Sequence, residues 1–259
     1  MPAYKDQYII CYFHICQKNG WDRSFDYIMY AIKQNHLYDA IHEIRVGIVN
    51  DCDHIIPNER FNDPKIVIVL HKNAIEYERP TLCHMREYSD TDNPNTVYLY
   101  LHTKGISHFG KETEPFVKDW IDLLLYWNVT KWNLALVCLK KYNTYGCNIF
   151  NNNGIMHYSG NFWWANKSHI QTLPQTIGDN YVDPEDWIGI NNTNMCNIYS
   201  SGLAGGGNYF HACPRTKYII PGNFQMAIYK KENKHLENLD FEQIICHYLQ
   251  NRKHNFNFI

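Results

Sequence analysis

An imidazole, a hydroxyl, an ammonium and a glycine stand side by side at His102-Thr103-Lys104-Gly105, directly after the β-branched and aromatic run Val97–Leu101. That grouping suits an anion. A lysine is a flexible point charge that reaches phosphate oxygens, and Thr103 can donate a hydroxyl beside it. Gly105 lets the backbone approach a ligand closely or turn sharply. A polar strand end followed by a turn glycine reads the same way, and on these residues alone both readings stay open.

Two later stretches carry the other groups that a transfer reaction needs. In HYSGNFWWANKSHIQTLP, residues 157 to 174, Gly160-Asn161 interrupts a strand that then presents Phe162, Trp163 and Trp164. Neighbouring strand residues point to opposite faces. One tryptophan therefore packs in the core and the other can face a cleft, where its ring would stack on a sugar or a base; two core tryptophans is the alternative. In DNYVDPEDWIG, residues 179 to 189, Pro184 and then Glu185-Asp186 open a helix. Carboxylates there are favoured by the helix dipole, and one of them can instead act as a general base on a hydroxyl nucleophile.

The elements that must position these groups follow from periodicity. Tyr8–Cys16 reads as a buried strand, and Phe25, Ile28, Met29 and Ile32 recur at helical spacing. Ile44–Val49 and Lys65–Leu70 are further strands, the second apolar on both faces as a central parallel strand would be. A short helix over Pro80–Tyr88 leads to the strand Val97–Leu101. One or two helices follow over Glu114–Lys141, then strands near Tyr145–Phe150 and His157–Trp163, a helix over Asn166–Leu173, and a last helix over Phe241–Leu249. Strand–helix alternation over the first 105 residues predicts an α/β fold with a mostly parallel sheet and helices on both faces. With no long polar linker and no repeat, the 259 residues are expected to form one domain.

Composition narrows the function classes. The formal charge is −2, so no global basic field recruits nucleic acid or anionic lipid, and any anion must be held by a few local cations. Nine scattered cysteines with no C-x-x-C pair fit reduced thiols in a cytoplasmic compartment. Fourteen histidines show no H-x-x-x-H spacing, which argues against structural zinc. The apolar start is too short to span a bilayer and lacks the charged region and cleavage site of a signal peptide, so no membrane span is expected.

YLHTKG, the tryptophan-rich helical region, and HYSGNFWWAN…LP…PEDWIG together resemble a group of small glycosyltransferases of the GT-A type, found in bacteria and in large DNA viruses. The likeness runs over about residues 8 to 220. HTKG alone is weakly specific; SGNFWWA followed by E-x-W-I-G is much more so. The resemblance implies a GT-A, Rossmann-like mixed sheet, with a nucleotide-binding half (1–105), an acceptor and catalytic half (106–220) and a C-terminal helical tail (221–259). It implies transfer of a hexose-like sugar from a nucleotide-diphosphate donor, a UDP-sugar being favoured, to a hydroxyl of a glycan or glycoprotein. A viral member would work in the host cytoplasm or the virion.

Carried onto this sequence, the resemblance makes Glu185 the base, with Asp186 as second choice, and Lys104 the group that stabilises the leaving diphosphate with His102 and Thr103. Gly105, Asn161, Trp163 and Trp164 would shape the donor and acceptor pocket. Tyr12 and His14 are candidates for the nucleoside, and His211, beside Gly205-Gly206-Gly207, for a further donor contact. GT-A enzymes usually hold Mn²⁺ or Mg²⁺ on a D-x-D motif, and here His102-Thr103-Lys104 stands where that motif belongs. The literal matches, Asp51-Cys52-Asp53 and Asp90-Thr91-Asp92, are poorly placed; Asp51 and Asp53 are the better metal candidates. Two rival readings are a catalytically inactive, glycan-binding relative, and a nucleotidyltransferase. The second would carry a glycine-rich loop after its first strand, where HICQKNGW has one glycine.

Overall fold

The structure is a computed structural model; it describes residues 7–220, 226–239, 243–245 and 247–248. β1 (Tyr8–Cys16) is followed by Gly20 at φ 69° and by α1 (Trp21–Gln34), whose Trp21, Phe25, Ile28, Met29 and Ile32 form one buried stripe. α2 (Leu37–Ala40) leads into β2 (Ile41–Asn50), then come β3 (Ile66–Asn73), α3 (Arg79–Tyr88) with Pro80 in its first turn, and β4 (Thr96–His102). α4 (Glu114–Leu125) and α5 (Trp132–Cys138) are joined by a π-helical turn over Tyr126–Thr130. β5 (Thr144–Gly146), β6 (Ile149–Asn152), β7 (Ile155–Tyr158), β8 (Trp163–Asn166), α6 (Lys167–Ile170), α7 (Asp183–Asp186), β9 (Met195–Asn197) and α8 (Met226–Glu232) complete the order.

Seven strands form one sheet in the order β3-β2-β1-β4-β8-β5-β9, while β6 and β7 pair as a separate hairpin. β1 runs parallel to both β2 and β4, and β8 is antiparallel to its two neighbours. Alternation along β1 explains why helices cover both faces. Ile9, Cys11, Phe13 and Ile15 join the core under α1, α4 and α5, and Ile10 and Tyr12 join the one under α3 and α6. The chain builds outward from β1 to β2 and β3, then returns to place β4 on the other side of β1. The carboxyl ends of β1 and β4 therefore border the point where strand order reverses, and there His14 lies opposite His102 in the register. Crevices at such points are where open α/β sheets bind ligands.

Four elements differ from the sequence expectation; the strand expected near Tyr145–Phe150 is split between β5 and β6, in different sheets, with Asn148 at φ 57° between them. β3 is an edge strand, not a central one, and Val67 and Ile68 are exposed at 46% and 37%. The strand expected over His157–Trp163 is split between β7 and β8, because Gly160 (φ 97°) and Asn161 (φ 55°) are consecutive left-handed residues that no extended ladder accommodates. The helix expected over Asn166–Leu173 is the single turn of α6. Of the expected helix Phe241–Leu249, residues 243–245 and 247–248 are helical and the rest lies outside the described residues. No helix among the described residues is long and apolar enough to cross a membrane. The eight described cysteines are free.

α3 seats directly on β2 because Gly47 has no side chain. A Cβ there would lie 2.1 Å from Thr81 Oγ1, the same oxygen that sits 2.8 Å from His14 Nδ1. Gly47→Ala should cost about 1–3 kcal/mol of stability by overpacking, read from the midpoint of urea unfolding. A midpoint equal to wild type would show that α3 can lift away freely.

Candidate active site

A cleft of about 550 Å³ opens at the carboxyl ends of β1 and β4. Its walls include His14, His102, Thr103, Lys104 and Gly105 from the two strand tips, and Glu185 from α7. Lys104 and Glu185 thus belong to one cavity, as the sequence reading requires. The strand tips are locked together: Thr103 N–H donates to His14 C=O, and Thr103 Oγ1 accepts from Cys16 N–H, both at 3.0 Å. The hydroxyl expected to meet a ligand thus already accepts a structural hydrogen bond. Gly105 adopts φ 83° under α4, where a Cβ would sit 2.9 Å from Val117 Cγ1, so only glycine turns the chain here without a shift.

That turn buries Lys104. Its carbonyl accepts from Ser24 Oγ at 3.0 Å, its side chain folds inward, and its ammonium lies 3.7 Å from the centre of the Trp120 ring. The residue is only 7% exposed, and no hydrogen bond or ion pair reaches the ammonium from any described residue. Burial pushes its pKa down from the ordinary lysine value, against the opposing pull of the Glu185 and Glu78 carboxylates. An indole face offsets only part of the cost of removing a cation from water.

At the two neighbouring histidines of the strand tips, burial disfavours the charged form. Burial, with Lys104 nearby, lowers the pKa of His102 to about 3, and burial lowers that of His14 to about 4. His102 Nε2 donates to the carbonyl of Gly160 at 3.0 Å, which leaves Nδ1 as the unprotonated nitrogen. His102 therefore lines the cleft with its charged form disfavoured.

Two carboxylates frame the ammonium, in different states of engagement. Glu78, just before α3, accepts at Oε2 from Tyr100 Oη and Asn161 Nδ2, both at 2.7 Å. Glu185 is 33% exposed at its side chain, and among the described residues its carboxylate meets one charged or hydrogen-bonding partner, His157 Nε2 at 3.5 Å. The other ring nitrogen of His157 lies 2.7 Å from Asp186 Oδ1, poorly aligned for a hydrogen bond, while Asp186 Oδ2 accepts from Asn152 Nδ2 at 2.7 Å. Asp186, Asn152, His157 and Glu185 form a chain that ends with a carboxylate open to the cleft.

Several expected site residues lie elsewhere. Asp186 is 7% exposed and does not line the cleft; it anchors His157. Trp163 and Trp164 do point to opposite faces, but both are fully buried; their indole N–H groups donate to Asn161 Oδ1 and Asn128 C=O. Asn161 is likewise fully buried and braces Glu78 and Trp163. Tyr12 is buried under α3, its hydroxyl accepting from Arg45 Nη1 at 3.1 Å. His211 is exposed and does not line the cleft.

The aspartate pairs do not suit a metal. Asp51 is ion-paired to Lys18 at 2.7 Å, and Asp51 and Asp53 are both exposed outside the cleft. Asp92 is held by Arg45 at 2.6 and 2.8 Å, and Asp90 by Arg86 at 3.3 Å. Among the described residues no group of three His, Cys, Asp or Glu side chains is disposed to hold a metal ion. At the strand tip itself the buried ammonium of Lys104 would repel a dication.

The cleft also holds residues that the sequence did not single out: Glu78, Trp120, His157, Tyr77, Tyr181 and Tyr209. His157 heads the HYSGNFWWA stretch, and the alternation of that strand could have raised it as a candidate. Glu78 carried no signal, since a carboxylate before a helix is common. No protein-family model matches the chain, and no curated protein matches it.

Removing the imidazole leaves a void beside the buried Asp186 carboxylate and takes away the ring that lies 2.7 Å from its Oδ1. His157→Ala should destabilise the fold by about 3 kcal/mol in urea unfolding. Adding Asp186→Asn should recover part of that loss, because the two residues act on one interaction. Strictly additive costs would mean that they are not coupled.

Proposed function

We propose that the chain is a GT-A-type glycosyltransferase that moves a sugar from a nucleotide-diphosphate donor, with a UDP-sugar favoured, to a hydroxyl of a glycan or glycoprotein acceptor. The observation that carries this reading is the buried Lys104, whose ammonium makes no hydrogen bond or ion pair among the described residues and shares its cleft with the accessible carboxylate of Glu185. The mixed, mostly parallel sheet flanked by helices agrees with a GT-A fold, as does a cleft at the point where strand order reverses.

In this reading the donor diphosphate lies against Lys104. As the bond from the anomeric carbon to the β-phosphate oxygen breaks, the electron pair leaves with the diphosphate and charge grows on that oxygen. A preorganised cation stabilises this charge more than it stabilises the bound ground state. Glu185 takes the proton of the acceptor hydroxyl, whose oxygen attacks the anomeric carbon from the side opposite the leaving group and inverts it. His157, held by Asp186, orients Glu185 from behind. An inactive glycan-binding relative would have no use for an unpaired cation at the cleft floor, so the transferase reading accounts for more of the site.

A thermal-shift screen with UDP-, GDP-, CMP- and dTDP-sugars, with and without Mn²⁺, tests the donor. A matching donor at about 100 times its Kd adds about 2.7 kcal/mol, or roughly 5–10 °C for a chain of this size. Absence of any shift across the panel would remove the reading. Lys104→Met should abolish the shift while leaving the melting temperature of the free protein unchanged or higher, since it removes an unpaired buried charge.

The sign of the pH effect follows from the depressed pKa of Lys104. Between the folded value and the ordinary lysine value the unfolded chain binds the extra proton, so wild type gains stability relative to Lys104→Met as pH rises through that window. Glu185→Gln should keep the donor-induced shift but lose turnover by about 10²-fold or more, measured as release of nucleotide diphosphate in the presence of acceptor. Undiminished turnover would clear Glu185 of the base role.

A further inference from the structure

The outer lip of the cleft holds two aromatic side chains for which the proposed reaction has so far found no use. Tyr77 and Tyr181 both line the cleft, yet they are 45% and 74% exposed. Their rings meet edge to face, with centroids 5.4 Å apart and planes at 88°. Tyr181 lies four residues before Glu185 in the chain.

The backbone holds this pair deliberately. Tyr77 sits at φ 50° and ψ −135°, a region that bulky side chains rarely enter, with its N–H bonded to the Ala74 carbonyl at 3.2 Å. Glycine would occupy that position without strain, and such strain tends to persist where a side chain is needed in a set place. Arg79 acts as a strut. Its guanidinium packs 5.7 Å from the centre of the Tyr77 ring, and its Nη2 donates to the Asn180 carbonyl at 2.6 Å. The segment bearing Tyr181 is thereby tied to the start of α3, next to Tyr77.

An exposed ring at the lip of a cleft offers its face to the C–H side of a pyranose, and its hydroxyl to the sugar's oxygens. We propose that Tyr77 and Tyr181 form the stacking platform for a sugar ring of a saccharide acceptor, presenting its hydroxyl toward Glu185. The role given to Glu185 rests on the transferase reading; the platform can be tested without a donor.

The experiment uses the full chain on an array of immobilised oligosaccharides, without nucleotide, comparing wild type with Tyr77→Gly and Tyr181→Ala. Thermal shift with UDP is run on all three. Wild type should be retained by a defined subset of saccharides, and each variant should bind that subset about tenfold or more weakly, the effect of losing one stacking partner. Tyr181→Ala should melt like wild type, and Tyr77→Gly should melt like it or higher because strain is relieved. Both variants should keep any shift that UDP gives wild type.

The proposal is overturned if no saccharide retains wild type, or if either variant is retained equally well. It is also overturned if the variants lose the UDP shift instead, which would assign the rings to the nucleobase. Saccharide retention that depends on both tyrosines, with no nucleotide-sugar shift in wild type, would uphold the platform and remove the transferase reading.

Discussion

Burying the Lys104 ammonium against the face of Trp120, with no acceptor for it among the described residues, costs free energy that the surrounding fold must offset. The surroundings are arranged accordingly. Ser24 holds the Lys104 carbonyl, Thr103 clips the tip of β4 to the tip of β1, and the left-handed turn at Gly105 sends the chain under α4. These contacts fix the backbone from which the side chain starts. A cation held this way is prepared for an anion before any anion arrives, which is the condition under which electrostatic stabilisation is strongest.

The other ionisable groups divide by engagement. Glu78 is bonded to Tyr100 and Asn161 and gives the cleft a fixed negative charge. Glu185, held only from behind by His157, keeps an open side. At the two strand-tip histidines burial disfavours the charged form. Of the two lysines that line the cleft, Lys18 is paired to Asp51, which leaves Lys104 as the cation without an ion pair among the described residues, opposite the accessible Glu185. The tyrosines at the lip extend the same cleft outward with apolar surface.

Much of the scaffold was legible in the sequence. β1 begins and ends where its β-branched and aromatic run does, and the stripe of α1 is the one that its helical spacing defines. Lys104 could be placed at a strand tip because the run before it alternates and the glycine after it stops the strand. β3 was misread because IVIVL is as apolar as a central strand, and nothing local tells a strand that no further strand will pair with it. The tryptophans follow the two-core alternative for a similar reason: alternation assigns them opposite faces, and both faces of β8 are covered.

What the sequence determined by itself is therefore what depends on neighbours along the chain: the periodicity of strands and helices, the turn at Gly105, and the residue types at each strand tip. Tertiary structure decided which polar groups are already engaged. It took Asp186, Asn161 and Tyr12 into the scaffold, left Glu185 accessible, disfavoured the charged form of His14 and His102 by burial, and brought Glu78 and His157 into the site from distant segments. Those outcomes depend on burial and on contacts between residues far apart in sequence, and neither quantity is encoded in local spacing.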